Sequence, residues 1–490
     1  MEDYFSQFRN QIIGINQKVN TPYGEMPLIY ADWVASGRLY QKIEQKIVAD
    51  FGPYVANTHT ETSETGILMT LSYHKAQHII KDHVNANEDD IIIMAGFGMT
   101  SVVNKLQRML GLRSCGMVSH HNCLKELTDC EKPIVFITHM EHHSNQTSWI
   151  ETCAEVVVLQ PDENLLVSPD ELRRQLEKYK DRTLKIGSFS ACSNVTGIET
   201  PYHELASIMH EYGGYCFVDF AASAPYVDIN MHPEDPTSCL DAIFFSPHKF
   251  LGGPGTSGVL IFCSKLYHNM TPDQPGGGTV DWTNPWGEYK YSDNIETRED
   301  GGTPGFLQTI RTALCIDLKN KMGTENIRNR EKELVDICFE KMAKIPGLHI
   351  LAENVKHRLG IVSFYFEHIH YNMVVKLLSD KFGIQMRGGC ACAGTYGHFL
   401  LDVTYEQSKN ITQLINSGDL SLKPGWVRLS LHPTMTKMEL GFIIDAIAQI
   451  AQNYLEWAKD YVYNKKTNEF THINRPNSYY DSILTDWFSL

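Results

Sequence analysis

The sequence DAIFFSPHKFLGGPGTSGVL, residues 241–260, carries the strongest structural signal in the chain. Its apolar, aromatic first part predicts a buried strand, and Pro247 ends backbone pairing. Three polar side chains, Ser246, His248 and Lys249, then precede a glycine-rich turn. Because apolar neighbours flank Lys249, we expect desolvation to lower the pKa of its ammonium and to favour Schiff-base chemistry. The alternative interpretation is a strand-end lysine that extends into water.

A second glycine-rich turn, GFGMT at residues 96–100, lies between an apolar run and a helical pattern. This arrangement places backbone N–H groups around Gly98 and Met99, and the hydroxyl of Thr100, at a helix N-terminus. Such a terminus binds anions, phosphate in particular. A simple tight turn has a similar sequence, and the third glycine of the dinucleotide-binding fingerprint is missing.

Two more strand ends carry groups that a pyridoxal phosphate (PLP) site needs. Asp219 ends the apolar run YCFVD, and a carboxylate there can pair with a protonated pyridine nitrogen and keep the ring an electron sink. His142, in EHHSN at residues 141–145, can stack on the ring and move protons. A helix-capping role for Asp219 and a metal-binding role for the histidine pair are the alternatives, although no ligand at recognisable spacing completes a metal site.

With these segments, the chain resembles the class V aminotransferase superfamily of fold-type I PLP enzymes. Within it, the chain resembles the branch of cysteine desulfurases and selenocysteine lyases. The resemblance covers nearly the whole sequence, and the matching segments occur in one linear order. They are YAD at 30–32, NTH at 57–59, GMT at 98–100, EHHSN at 141–145, SNVTG at 193–197, VD at 218–219, SPHK at 246–249, GTP at 302–304, RGGCAC at 387–392 and VRLS at 427–430.

The resemblance implies how PLP is held. It implies that Lys249 carries PLP as an internal aldimine, that Asp219 pairs with the pyridine nitrogen and that His142 stacks on the ring. Asn194 is expected beside the phenolic oxygen. Thr303 matches a threonine that reaches the phosphate from the partner subunit, which implies a homodimer with shared active sites. The rest of the phosphate cradle is expected to comprise Gly98, Met99, Thr100, Ser246 and His248.

The resemblance also implies four substrate-binding residues, Arg428, Arg387, Asn57 and His59. Arg428 matches the arginine that binds the substrate carboxylate, a role that suits the bidentate guanidinium fork. Arg387 matches a second arginine near the substrate.

The expected sulfur acceptor is Cys392, which aligns with the loop cysteine of desulfurases. That cysteine takes sulfur from the bound amino acid as a persulfide and leaves alanine. Cys390 is a close alternative, and the CxC spacing also suits a metal site, a redox switch or a small buried side chain. Two features depart from the branch: Ala222 replaces a glutamine expected three residues after Asp219, and the segment between Cys392 and Arg428 is longer than usual.

Apolar runs alternate with helical patterns between residues 57 and 319, which predicts a mostly parallel sheet wrapped by helices. We therefore expect an α/β protein of fold-type I. A mostly parallel seven-stranded sheet flanked by helices would form the large domain, beside a smaller α+β domain. The predicted boundaries are 1–50 for an N-terminal segment that packs on the small domain, 51–322 for the large PLP-binding domain and 323–490 for the small domain with a C-terminal extension.

The amino-acid composition indicates which partners and which cellular compartment to expect. The 490 residues carry a formal net charge of −15 and no run of lysine or arginine, which argues against nucleic acid or a membrane surface as partner. No run approaches the roughly 20 apolar residues of a membrane span, and no early segment resembles a signal peptide. The 12 cysteines form no disulfide framework, so we expect reduced thiols in a cytoplasmic setting.

The sequence therefore predicts a PLP-dependent enzyme that cleaves the carbon–sulfur or carbon–selenium bond of a small amino acid. A sulfur-acceptor protein is a further expected partner. One alternative is an aminotransferase, epimerase or beta-eliminating lyase of the same family that uses no cysteine nucleophile. Another is a non-catalytic binding protein that retains the fold.

Overall fold

The apolar runs of the large domain form a seven-stranded sheet in the computed structural model, which describes residues 1–113, 127–475 and 479–489. Gly258–Cys263 pairs antiparallel with both of its neighbours, and the other pairings are parallel. The strands are apolar along their length because helices cover both faces of such a sheet. The predicted, mostly parallel sheet is confirmed. In spatial order its strands are Asp90–Ala95, Gly258–Cys263, Ala242–Phe245, Tyr215–Asp219, Lys185–Ser190, Ile134–Ile137 and Glu155–Val158.

Helices connect and cover these strands. The helix Pro169–Lys178 begins at Pro169 because the Ser168 side chain caps it by accepting the Glu171 N–H. The helix Phe306–Met322 begins directly after Gly305. The helices of this part of the chain are Glu64–His83, Met99–Met109, His143–Ile150, Pro169–Lys178, Tyr202–Glu211, Ile295–Glu299 and Phe306–Met322.

A four-stranded antiparallel sheet forms the centre of the C-terminal part. Its spatial order is Leu348–Ile350, Ile361–Phe366, Trp426–Ser430 and Arg387–Gly389. The long helix Lys437–Trp457 begins at a capping box in which Thr436 and Glu439 satisfy each other's backbone N–H groups. The helices here are Thr324–Met342, Tyr371–Phe382, Gly394–Leu400, Tyr405–Asn416, Lys437–Trp457 and Tyr479–Trp487.

Short hairpins and turns complete the described chain. The hairpins are Lys18–Thr21 with Gly24–Pro27, Val280–Thr283 with Tyr289–Tyr291, and Tyr461–Asn464 with Glu469–His472. The N-terminal helices are Glu2–Arg9 and Gln41–Lys46, the latter continued by a π-helical turn, Ile47–Phe51. In the described residues, no helix is both long enough and apolar enough to cross a membrane.

Residues 29–38 form a strap between the two sheets. Ile29–Tyr30 pairs in parallel with Ile384–Gln385 beside the small sheet. At the other end, the Gly37 N–H donates to the carbonyl oxygen of His248 at 2.9 Å. A side chain at Gly37 would place its Cβ 1.9 Å from the carbonyl oxygen of Phe250, so only glycine allows this approach. The strap therefore connects the small sheet to the turn that carries Lys249.

The N-terminal segment contributes to two apolar clusters. Phe5 and Phe8 lie in the cluster around the seven-stranded sheet. Ile29 and Ala31 lie in the cluster around the small sheet. The segment therefore contacts both parts of the molecule.

Candidate active site

The turn after the strand Ala242–Phe245 brings most of the predicted site residues together. Pro247–Lys249 forms a 3₁₀ turn, which directs Lys249 away from the sheet edge into a cavity of about 200 Å³. This is the carboxyl edge of the parallel strands, where open α/β sheets bind ligands. The predicted residues that line the cavity are Met99, Thr100, His142, Asn194, Asp219, Ser246, His248, Lys249, Arg387, Cys392 and Arg428.

Asp219 and Lys249 are the central charged pair of the cavity. Burial raises the pKa of the Asp219 carboxyl, and the Lys249 ammonium opposes that shift. Burial lowers the pKa of Lys249, against the attraction of Asp219. One Asp219 oxygen accepts the backbone N–H of Ala221 at 2.7 Å, and the other has no hydrogen-bond donor among the described residues. This carboxylate is therefore available to a cation inside the cavity.

His142 presents a neutral ring to the cavity. It is the N-cap of the helix His143–Ile150, and its Nδ1 accepts the Ser144 N–H at 3.1 Å. Burial is the main cause that lowers the pKa of His142 to about 3, and the charge of Lys249 contributes to the shift. Since Nδ1 is an acceptor in a neutral imidazole, Nε2 carries the proton. The ring therefore offers a flat face and one N–H donor.

An anion cradle lies where the helix Met99–Met109 begins. The Met99 N–H donates to Ser246 Oγ at 2.8 Å, and Thr100 Oγ1 lies 2.6 Å from Ser144 Oγ. Burial is the main cause that lowers the pKa of His248 to about 4, and the charge of Lys249 lowers it further. Hydroxyls, backbone N–H groups and a helix N-terminus suit a phosphate. The sequence interpretation missed Ser144, although its motif, EHHSN, had been recognised.

Two arginines, Arg387 and Arg428, form the polar side of the cavity nearest the small sheet, and one carboxylate, that of Asp32, joins them from outside the lining. Arg428 is 3% exposed, and its Nη2 donates to Asp32 Oδ1 at 2.7 Å while its Nη1 donates to the Asn194 carbonyl oxygen at 3.2 Å. Arg387 donates through Nε to Asp32 Oδ2 at 3.0 Å. Arg428 Nε is buried without a hydrogen-bond partner in the described chain. The sequence interpretation gave Asp32 no role, although it lies in the matching segment YAD.

Cys392 lies at the cavity and Cys390 does not. Cys392 is solvent-exposed, whereas Cys390 is partly buried against the large core. The loop is held on both sides: the His143 N–H donates to the Cys392 carbonyl oxygen at 2.7 Å, and Asn194 Nδ2 donates to the Ala391 carbonyl oxygen at 2.7 Å. Ala391 and Cys392 both adopt positive φ angles, of 50° and 57°. These contacts direct one thiol, that of Cys392, toward the cavity.

Asn57, His59 and Thr303 do not reach this cavity within one chain, and Gly98 is not among the residues that line it. The first three residues are solvent-exposed. His59 lines a separate cavity of about 500 Å³ together with Tyr73 and Asp300. The described residues also contain no cluster of three or more side chains suited to a metal ion.

The family of the chain follows from comparison with known proteins. The sequence model for class-V aminotransferases matches residues 29–441. The chain belongs to the class-V aminotransferase family. Its members are PLP-dependent enzymes, so this protein is a PLP-dependent enzyme of the class-V type.

Curated relatives of this class-V enzyme include cysteine desulfurases. A probable cysteine desulfurase from Halalkalibacterium halodurans is 27% identical over 389 residues, which cover 77% of this chain and 86% of the relative. A cysteine desulfurase from Haloferax volcanii is 25% identical over 373 residues, which cover 75% and 81%. The structure of a cysteine desulfurase from Thermococcus onnurineus NA1 is similar in fold, with a TM-score of 0.71 at 21% identity, and the match covers 91% of this chain and 98% of that chain.

The cavity of this class-V enzyme fits PLP. Asn194 Oδ1 and Arg428 Nε are buried polar atoms without hydrogen-bond partners among the described residues, as expected where a ligand supplies the missing contacts. Asp219 offers a buried carboxylate for a pyridinium nitrogen, and Lys249 offers an amine with a lowered pKa. Ala222 also lines the cavity, so the glutamine expected there is replaced by a methyl group.

Gly98→Ala is expected to weaken PLP binding about tenfold, because overpacking a tight site costs about 1–3 kcal/mol. The added Cβ would lie 3.0 Å from Ser246 Oγ and 3.6 Å from the His248 ring, in the space of the cradle. PLP titration of the dialysed protein, followed by absorbance, measures the effect. Gly441→Ala is the control, since a Cβ there meets nothing within 4 Å. Equal PLP affinities of the two variants would contradict this account of the cradle.

Proposed function

We propose that this enzyme is a cysteine desulfurase or selenocysteine lyase-like enzyme, which removes sulfur or selenium from a small amino acid. The observation that carries the proposal is the exposed thiol of Cys392, which lies in the same cavity as Lys249 and Arg428. The names of the curated relatives support the same activity. The cavity, at about 200 Å³, suits a small substrate.

PLP, when bound, supplies an electron sink that stabilises negative charge on the carbon beside the substrate's amino group. In this proposal Lys249 would hold the group covalently, Asp219 would pair with the pyridine nitrogen, His142 would stack on the ring and Asn194 would bind the phenolic oxygen. Gly98, Met99, Thr100, Ser246 and His248 would hold the phosphate.

Three side chains of the cavity then act on different atoms of the substrate. Arg428 binds the carboxylate through its free Nε edge. The Lys249 amine, whose pKa is lowered by burial, takes the proton from the substrate's α carbon. The Cys392 thiolate attacks the side-chain sulfur, so that a sulfur–sulfur bond forms and the carbon–sulfur bond breaks. The β carbon keeps the electron pair of the broken bond and takes up a proton, Lys249 returns the proton to the α carbon, and the product leaves as alanine. Cys392 keeps the sulfur as a persulfide.

The decisive experiment measures alanine and sulfide released from L-cysteine by the PLP-loaded enzyme in the presence of dithiothreitol, with L-selenocysteine as a second substrate. Equal amounts of alanine and sulfide are expected. Keto acid, racemised substrate or pyruvate without alanine would overturn the proposal in favour of an aminotransferase, an epimerase or a beta-eliminating lyase, respectively.

We also propose that the active form is a homodimer with shared active sites. Two residues expected at the site, His59 and Thr303, are exposed and lie near the same loop: a Cβ on Gly278 would be 3.6 Å from the His59 ring, and Gly302 N donates to the Gly277 carbonyl oxygen at 2.8 Å. Their common location on the surface supports a site that is completed by a second chain. The exposed Cys392 thiol is likewise accessible to a sulfur-acceptor protein.

Mixing two inactive variants tests the shared site. Lys249→Ala chains and Thr303→Ala chains are unfolded and refolded together, and activity is measured at limiting PLP. A mixed dimer contains one site with both Lys249 and Thr303, so we expect the mixture to exceed either variant alone several-fold. A solution mass equal to the single-chain 55.7 kDa, or a mixture no more active than the mean of its parts, would contradict the shared site.

A further inference from the structure

Asp32 links the two arginines of the cavity. Its two carboxylate oxygens accept from different residues, Oδ1 from Arg428 Nη2 at 2.7 Å and Oδ2 from Arg387 Nε at 3.0 Å. The side chain of Asp32 is 12% exposed and that of Arg428 is 4% exposed, whereas Arg387 is half-exposed at 51%. One carboxylate is thus shared by a buried and a half-exposed guanidinium.

The strap fixes Asp32 in this position. Arg387 and Arg428 are direct partners on adjacent antiparallel strands of the small sheet, so their side chains leave the same face. Asp32 pairs with Ser430 through a parallel bridge, and the Ser430 N–H donates to the Ala31 carbonyl oxygen at 2.9 Å. Backbone pairing therefore holds the carboxylate at the arginines independently of any ligand.

The net charge of the Asp32, Arg387 and Arg428 side chains can be neutralised by one anion. Two guanidinium groups and one carboxylate sum to a single positive charge. On Arg428, Nη1 and Nη2 already donate to Asn194 and Asp32, and Nε alone has no partner in the described chain. A second carboxylate near Arg428 would face the Asp32 carboxylate, and like charges side by side cost several kcal/mol in a desolvated site.

We propose that Asp32 is a specificity-determining residue, which takes the place of a second ligand carboxylate and so restricts the cavity to amino acids with a single carboxylate. This inference rests on the proposed function in one respect: an amino acid binds with its α-carboxylate at Arg428. Cysteine, selenocysteine and alanine satisfy the restriction, and aspartate does not.

The half-exposed Arg387 does not offset the repulsion between Asp32 and a second ligand carboxylate. Its terminal nitrogens have no hydrogen-bond partners among the described residues, but its Nε is already paired with Asp32. Ion pairs with solvent-exposed charges contribute little. The dominant electrostatic neighbour of a second carboxylate is therefore the buried Asp32.

The test compares two ligands of nearly equal size, L-aspartate and L-asparagine, which differ in charge. The PLP-loaded dimer is titrated with each, and binding is followed by the change in cofactor absorbance. The wild-type enzyme is expected to bind L-asparagine at least about tenfold more tightly. Asp32→Asn removes the carboxylate at constant shape, and we expect it to shift this ratio toward L-aspartate by about tenfold or more. Asp32→Glu keeps the charge and is expected to retain the wild-type ratio.

Asp380→Asn is the matched control. Asp380 is a carboxylate of the small domain, 1% exposed, with Lys376 at 3.2 Å and Arg475 at 3.6 Å, and it does not line the cavity. Its substitution is expected to lower stability and to leave the ligand ratio unchanged. Two results would overturn the proposal. The first is that the wild-type enzyme binds L-aspartate and L-asparagine with equal affinity, a result that does not depend on whether Asp32→Asn loads PLP. The second is that Asp32→Asn loads PLP and keeps the wild-type affinity ratio. Because absorbance reports binding and not sulfide, both results are separate from that of the L-cysteine assay.

Discussion

Lys249→Ala is expected to lower turnover of L-cysteine about 10⁴-fold, since the residue both holds the cofactor and moves the substrate's α proton. The protein should still fold, because the Lys249 side chain faces a cavity and not the packed core. Turnover is measured as alanine released, and folding as the thermal unfolding midpoint. We also expect the absorbance of covalently held PLP to disappear, while added PLP binds reversibly in the cradle.

Lys319→Met is the control for this variant. Lys319 is a buried lysine outside the cavity, and burial lowers its pKa to about 7. Its ammonium donates to the carbonyl oxygens of Ala224 and Val227, so its role is structural. We expect this variant to unfold at a lower temperature and to retain its activity within about threefold. Substantial turnover by Lys249→Ala would refute the assignment of Lys249.

Cys392→Ser is expected to reduce persulfide formation and sulfide release from L-cysteine about 10³-fold, because a hydroxyl at this position cannot accept sulfur. PLP binding should remain unchanged, since the loop is held through backbone atoms: the Cys392 carbonyl oxygen accepts the His143 N–H, and the Ala391 carbonyl oxygen accepts from Asn194. Persulfide is measured by mass spectrometry of the enzyme after one turnover. L-selenocysteine cleavage can persist in this variant, because selenium leaves more readily than sulfur.

Cys390→Ser separates the two cysteines of the CxC motif. Cys390 does not line the cavity and is partly buried, so its removal should change sulfide release by no more than about threefold. If Cys392→Ser retained persulfide formation and Cys390→Ser lost it, the acceptor would be Cys390. Loss in both variants would indicate that the two thiols act in sequence.

The sheet and its strand ends could be predicted from the sequence because their signals are local. The apolar run before Pro247 forms the buried strand Ala242–Phe245, and the run that ends at Asp219 forms the strand Tyr215–Asp219. Strand ends of a parallel sheet meet at one edge. The sequence alone therefore predicts that Lys249, Asp219 and His142 lie in a common site.

The choice between Cys390 and Cys392 depended on tertiary structure. The CxC spacing is the same for both thiols, whereas the loop geometry distinguishes them through contacts with His143 and Asn194, which are about 250 and about 200 residues away in sequence. Likewise, His59 and Thr303 match family positions but lie outside the cavity of their own chain. A local sequence pattern does not distinguish a side chain that enters the cavity of its own chain from one that enters the cavity of a partner chain.

The sequence by itself determined the α/β class and the family resemblance, and it predicted which groups would hold the cofactor, because strand periodicity and strand-end chemistry are properties of short segments. Only the tertiary structure decided the role of Asp32. Its carboxylate acquires a function by lying between Arg387 and Arg428, which are more than 350 residues away in the chain. Such a contact arises from packing of the strap against the small sheet, and the charge balance of the cavity follows from that packing.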